Sequence, residues 1–262
     1  MAVIGSPPGA FPQLTITQSQ TWVPPQDGTV CIHVVGAGGG GMGLTNGYYS
    51  GGSGAYGKIP TLAVTTSGSF TLVVGVGGNF GTGGNSAANG GASTVAGTGL
   101  TGTKTCNGGT GGRWDGSAYV NGSGGTVAGS GESWAAYAGG AGGTYGGGAV
   151  GIYATGAAGA TGGGMTDAQS GGLAMSGYGI ICGGSQPSPT QSNNTAVQFL
   201  PIQGDDLCGG GSVRSSNAAG YTRAASGGIG GGGGGCRNSN SASNAFGGRG
   251  GDGIILIQYL PW

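Results

Sequence analysis

Apolar and polar residues alternate over short stretches at the two ends of the chain. Leu14-Thr15-Ile16-Thr17 alternates, Thr29 to Val35 reads TVCIHVV, Ile59 to Val64 reads IPTLAV, and Ser69 to Val76 reads SFTLVVGV. The last such stretch is Gly253 to Leu260, GIILIQYL. Period-two runs of β-branched and aromatic residues predict strands. Trp22 to Gly28 (WVPPQDG) carries the Pro and Asp-Gly chemistry of a turn. Four or five strands from the two chain ends therefore predict a small antiparallel sheet or sandwich, with the first and last strands close together.

Between about Gly75 and Asp252 that alternation gives way to glycine punctuation. Runs include Gly139-Gly140-Ala141-Gly142-Gly143, Gly146-Gly147-Gly148, Gly162-Gly163-Gly164, Gly209-Gly210-Gly211 and Gly230 to Gly235. No 3.6-residue periodicity appears, so essentially no α-helix is expected. The strict Gly-X-Y repeat of a collagen triple helix is missing too. Glycine is costly to order, by roughly 0.5–1 kcal/mol more than alanine in regular structure. With 73 glycines in 262 residues, ordering needs an offset on the order of tens of kcal/mol, and large side chains are scarce. Main chain packed on main chain supplies one. Left-handed polyglycine II rods have three residues per turn and no internal hydrogen bonds, so their N–H and C=O groups point outward to neighbouring rods. Any Cβ at the contact would hold such rods apart.

The expected fold is thus mostly β and irregular: a small sheet or sandwich carrying a polyglycine II insertion. Residues 1–76 supply scaffold strands, 77–252 the rods and their loops, and 253–262 a strand returning to the scaffold, all in one compact unit.

Composition narrows the function. Only 5% of residues are charged, seven basic against seven acidic, and Lys58, Lys104, Arg113, Arg214, Arg223, Arg237 and Arg249 are scattered singly. That is no basic stripe for nucleic acid. No apolar run of eighteen residues exists for membrane insertion. Met1-Ala2-Val3-Ile4 opens no basic or apolar leader, so no secretory signal is expected, and the sequons at Asn121 and Asn193 are taken as chance. Cys31, Cys106, Cys182, Cys208 and Cys236 form no CxxC and read as small buried thiols, one or two disulfides formed after release being the alternative. No metal site is expected, since His33 is the single histidine and lies within a strand pattern.

Two glycine motifs mimic nucleotide sites. Gly36-Ala37-Gly38-Gly39-Gly40-Gly41 satisfies GxGxxG, but no helix pattern follows and no acidic residue occurs between Asp27 and Asp115. Gly52 to Lys58 satisfies GxxxxGK, but Ile59 stands where Ser or Thr would hold magnesium. Asp205-Asp206 is the sole adjacent carboxylate pair, and with one His and one Glu (Glu132) no acid–base constellation assembles. No catalytic residue and no cofactor are expected, and the chain reads as non-enzymatic.

The segments between glycine runs carry most aromatics. The longest, Ser185 to Gln203, is nineteen residues without glycine. Trp114, Tyr119, Trp134, Tyr137, Tyr153, Phe199 and Tyr221 are the candidate binding residues, because Trp and Tyr dominate interface energetics. Filling gaps beside the rods is the alternative role for each.

The order Val34-Val35-Gly36-Ala37-Gly38-Gly39-Gly40-Gly41, Gly51-Gly52-Ser53-Gly54-Ala55-Tyr56-Gly57-Lys58, Phe70 to Gly78 and Gly250-Gly251-Asp252-Gly253-Ile254 to Tyr259 resembles the glycine-rich domains at the ends of bacteriophage tail fibres and related virion proteins. The glycine-rich middle is similar to that of distal long-tail-fibre adhesins of T-even phages, whose polyglycine II loops bind bacterial receptors. Residues 1–20 are too short to match the attachment domain of those adhesins. The resemblance implies a virion protein assembled in the host cytoplasm. Its partners would be other virion proteins, a bacterial surface protein or polysaccharide, and copies of itself in a homotrimer. Competing readings are a head, collar or tail decoration protein and an ice-binding polyglycine bundle.

Overall fold

The computed structural model describes residues 13–144, 146–152, 154–156, 158–159, 174–175, 181–182, 209–210, 212–215, 222–238 and 242–261. The alternating stretches form two five-stranded antiparallel sheets. One runs in the order β1 (Gln13–Ile16), β20 (Ile254–Tyr259), β3 (Gly28–Val35), β6 (Tyr56–Val64) and β13 (Ala135–Tyr137). The other runs β12 (Val127–Ala128), β9 (Lys104–Cys106), β8 (Ser93–Gly97), β7 (Phe70–Val73) and β2 (Gln20–Trp22). The first and last strands do meet, pairing from Gln13↔Gln258 to Ile16↔Ile255.

Alternation decides what lies between the sheets. Val30, Ile32, Val34, Ile59, Ile255 and Ile257 of the first sheet share one core with Trp22, Phe70, Leu72, Val95 and Cys106 of the second. Trp22 and Phe70 meet with ring centroids 5.2 Å apart. The sandwich expected from the chain ends is therefore present. β8 and β9, with the sequences STVAG and KTC, are too short and too small to announce themselves in the pattern.

The rods grow directly out of these strands. β3 continues as residues 36–41, whose successive N–H groups turn to three neighbours in rotation. Gly36 and Gly39 donate to Ala55 and Gly52 (2.8 and 2.9 Å), Ala37 and Gly40 to Gly91 and Ala88 (3.0 Å each), Gly38 and Gly41 to Gly251 and Gly248 (2.8 Å each). A three-residue rotation of hydrogen bonds is the mark of polyglycine II, whose turn is three residues. Carbonyls of the same rod accept from Gly109, Gly112, Gly78, Gly81 and Gly233. Six rods thus ring the central one: 50–55, 107–112, 87–91, 75–81, 247–253 and 231–235, each bonded to the next around the ring. Rod 50–55 repeats the arrangement with 36–41, 107–110, 122–125, 138–140, 147–149 and 231–235. This is hexagonal packing with the main chain as the packing unit.

The spacing leaves no room for side chains. A Cβ on Gly38 would lie 1.9 Å from the Gly231 carbonyl oxygen, on Gly41 2.0 Å from that of Gly234, and on Gly54 2.0 Å from that of Gly36. The rods are not confined to residues 77–252, since the central one lies in 36–41 and its neighbour in 50–55. Strand and rod alternate along the described residues.

At the end of the rods away from the sandwich the chain returns to short sheets. β4 (Met42–Leu44) and β5 (Tyr48–Tyr49) cap rods 36–41 and 50–55, in a sheet ordered β16 (Val213–Ser215), β18 (Cys236–Asn238), β4, β5. Two-stranded pairs join β10 (Arg113–Trp114) to β11 (Tyr119–Val120) and β17 (Thr222–Arg223) to β19 (Ala245–Phe246). A further pair joins β14 (Ala174–Met175) and β15 (Ile181–Cys182). Cys31, Cys106 and Cys236 are buried and free of disulfides.

Two glycine substitutions separate main-chain packing from turn strain. Gly38→Ala forces backbone apart and should cost about 3 kcal/mol or more. Gly102→Ala meets open space and only a left-handed φ of 74°, and should cost about 1 kcal/mol. Denaturant midpoints of the two variants measure both; equal losses would mean that rod contacts are looser than the distances imply.

Candidate functional site at the tip of the rod bundle

The end opposite the sandwich collects aromatic side chains because rods terminate there together. Rod 107–112 runs into the β10–β11 hairpin, and rods 36–41 and 50–55 are joined by the β4–β5 hairpin through Asn46-Gly47. The Tyr49 and Tyr119 rings lie 5.4 Å apart between centroids, and Trp114 meets Tyr119 edge-on at 4.7 Å. Met42, Leu44 and Ala87 form the buried floor beneath Tyr49 and Tyr119. Trp114 itself is 48% exposed. At the same end of the rods, Phe80 and Phe246 form an edge-on pair at 5.9 Å, and the Arg223 guanidinium sits 4.8 Å above the Phe80 ring.

Hydrogen bonds stiffen the hairpin that presents Trp114. The Asp115 carboxylate accepts from the Ala118 N–H at 2.8 Å, the Ser117 N–H at 2.9 Å and the Ser117 hydroxyl at 3.0 Å. Those donors, Ala118 first, hold its carboxyl below the usual carboxylate range. Its charge is thus committed to the turn. Arg113 donates to Thr110 Oγ1 at 2.9 Å, and Arg237 Nε donates to the Thr45 carbonyl at 3.1 Å.

Among the described residues charge is segregated, although the chain is neutral overall. Arg113, Arg214, Arg223 and Arg237 all stand on tip strands, and Asp115 is the acidic residue among the described residues there. Glu132 and Asp27 lie in loops at the sandwich end, and Asp252 pairs with Arg249 at 2.7 Å within the rod that leads to β20.

The candidate aromatics divide. Trp114 and Tyr119 come together at the tip. Trp134 lies at the sandwich end, packs against its core and covers Gly57, where a Cβ would strike the indole at 2.0 Å. The loop before it is pinned by Lys104, which is fully buried. Lys104 Nζ donates to the Thr101 carbonyl at 3.0 Å and to the Ser130 carbonyl, and pairs with Glu132. That hydrogen bond with Lys104 is the main cause pulling Glu132 down to about 2. Tyr137 stacks on Tyr56, centroids 6.4 Å apart and planes 5° from parallel. Trp134 and Tyr137 therefore take the packing role. Tyr153, Phe199, Tyr221, Asp205, Asp206 and the segment 185–203 lie outside the described residues. Tyr49, Phe80, Phe246 and Arg223 join the site without having been singled out in the sequence. Only Tyr49 had a local signal, the Asn46-Gly47 hairpin turn before it.

Among the described residues no three His, Cys, Asp or Glu side chains gather as a metal-binding group, and no helix is long and apolar enough to cross a membrane. His33 stands on the face of β3 away from the sandwich core. Its Nε2 is 3.3 Å from Cys31 Sγ and its Nδ1 2.7 Å from the Tyr56 hydroxyl. Burial first, then the nearby Lys58 charge, lowers its pKa to about 4.

A two-layer sandwich prolonged into a hexagonal rod bundle, with an aromatic and arginine-bearing tip, defines a glycine-rich structural domain. A family model described as a glycine-rich domain matches residues 15–260, and the chain belongs to that family. Comparison with curated proteins gives no match.

Two outcomes follow from these placements. Trp134→Ala should cost about 3 kcal/mol in unfolding free energy, whereas Trp114→Ala should leave it within about 0.5 kcal/mol. Urea titration of the pair checks the division of roles. For His33, the native ring stays neutral down to about 4, while the unfolded ring takes its proton near about 6.5. The unfolded state then binds more protons, so stability falls as pH drops through that window, by up to about 3 kcal/mol. His33→Gln should remove this slope in unfolding curves measured across that pH range.

Proposed function

We propose that the protein is a bacteriophage virion component, a tail-fibre tip or receptor-binding adhesin that presents its tip to the bacterial surface. The observation that carries this reading is the collection of Trp114, Tyr119, Tyr49, Phe80 and Phe246 with arginines at one end of a stiff frame. Aromatic and arginine side chains anchor interfaces, and a frame already ordered loses little entropy when it binds. The composition of the tip suits an anionic partner, such as an acidic polysaccharide or an acidic loop of an outer-surface protein. Arg223, already stacked on Phe80, offers a charged edge to it.

The exposed Val23 and Val76, 54% and 66% accessible and away from the tip, suit contact with other virion proteins or with further copies of the chain, a homotrimer among them. The proposed mechanism is adhesion without turnover.

Purified protein binding to host cells tests the reading. Trp114→Ala and Arg223→Ala should each weaken binding, Trp114→Ala by about 30-fold if it is a hot spot worth about 2 kcal/mol. The Arg223→Ala deficit should shrink as salt is raised, because screening already weakens that contact. Full binding by the double variant would refute a tip-centred adhesin and favour a decoration role on the head, collar or tail.

A further inference from the structure

The sequence holds four Asn-Gly dipeptides, at Asn46, Asn89, Asn107 and Asn121. This dipeptide undergoes spontaneous ring closure wherever its backbone can fold onto the side chain, because glycine offers no steric shield. The N–H of the glycine loses its proton to hydroxide, and the nitrogen attacks the asparagine Cγ. The new N–C bond forms as the Cγ–Nδ2 bond breaks, and the departing nitrogen takes a proton from water and leaves as ammonia, which regenerates hydroxide. Water then opens the resulting succinimide at one carbonyl or the other, giving aspartate or isoaspartate.

Three of the four dipeptides are held against this chemistry. Rods fix ψ near about +145°, which keeps the following nitrogen away from Cγ. Each rod asparagine also has its amide engaged. Asn89 Oδ1 accepts from the Gly111 N–H at 3.0 Å, Asn107 Nδ2 donates to Thr126 Oγ1 at 2.9 Å, and Asn121 Oδ1 accepts from the Ser50 N–H at 3.0 Å. The attacking nitrogens of two of them are occupied as well, Gly90 donating to Gly109 at 2.8 Å and Gly122 to Ser50 at 2.8 Å. At the third, Gly108 is wedged where a Cβ would lie 2.2 Å from the Gly90 carbonyl oxygen.

Asn46 differs in its backbone setting and its hydrogen bonding, although Asn89 is exposed as well and a Cβ on Gly47 would meet the Tyr49 hydroxyl at 2.5 Å. It is exposed, sits in the turn joining β4 to β5, and neither its amide nor the Gly47 N–H has a hydrogen bond among the described residues. We propose that, of the four Asn-Gly dipeptides, Asn46 is the one that undergoes spontaneous succinimide formation and deamidation, a self-modification site at the tip from which the rods exempt the other three. Conversion places a carboxylate, or an isoaspartyl link with one extra main-chain carbon, three residues before Tyr49 and beside Thr45, whose carbonyl Arg237 holds. Any effect on attachment rests on the proposed role of the tip; the chemistry does not.

The folded protein is incubated at mildly alkaline pH and sampled over days, with peptide mapping by mass spectrometry and enzymatic isoaspartate labelling. A urea-unfolded sample serves as the reference. Asn46 should convert at least about tenfold faster than Asn89, Asn107 and Asn121 in the folded protein, since local opening must precede reaction in the rods. All four should convert at similar rates in urea. Asn46→Gln should abolish nearly all isoaspartate formed at the Asn-Gly dipeptides of the folded protein. Conversion of a rod asparagine as fast as Asn46 would overturn the proposal, as would an intact Asn46 after the urea sample has reacted. Host-cell binding by Asn46→Asp is a separate readout; unchanged binding would count against the tip's role and leave the modification site standing.

Discussion

Hydrogen bonding between bare backbones, possible only where Cβ atoms are missing, is the constraint on which the structure depends. Rod 36–41 uses every one of its N–H groups on a neighbouring chain segment, and its carbonyls answer five more donors. No internal bond holds a polyglycine II rod together, so each rod is ordered only by the others. Order is therefore collective. The entropy lost by the glycines is offset by a lattice that exists only when most of its members are in place. Contacts such as Gly38 with Gly251 span nearly the whole chain, a topology that favours slow, concerted folding.

The sandwich gives this lattice its seed. Strand β3 brings its backbone out of a core of isoleucine, valine and phenylalanine and becomes the central rod without a turn, and rod 50–55 enters β6 the same way. Side-chain packing at one end thus sets the lateral order of the main chains beyond it. At the other end the same segments leave the lattice as short strands, and side chains can reappear. That is why Tyr49, Trp114, Tyr119, Phe80 and Phe246 crowd there: the lattice excludes bulky groups from its interior and releases them at its end.

Much of this is legible in the sequence alone. Period-two alternation located β1, β3, β6, β7 and β20, and the glycine runs located rods. Alternation could not reveal β8 and β9, because a strand of Ser, Thr, Val, Ala and Gly looks like its surroundings. It also could not place rods 36–41 and 50–55 at the centre, since their neighbours in space are remote in sequence. Among the described residues the candidate aromatics split on context. Trp134 lies over Gly57 of a sandwich strand, while Trp114 sits on a hairpin beyond the rods. The segregation of charge among the described residues was invisible because arginines far apart in sequence reach the same end only when their rods end together.

The seamless passage from strand to rod has a mechanical consequence. A pull on the tip along the rod axis is carried by covalent backbone straight into the sandwich, with no hinge between them. The bonds joining neighbouring rods lie across that axis, so sliding one segment past another must rupture a whole file of them at once instead of peeling them singly. Such a body resists traction far better than its modest store of side-chain contacts would lead one to expect, and it would hand force from a gripping end to its base with little stretch.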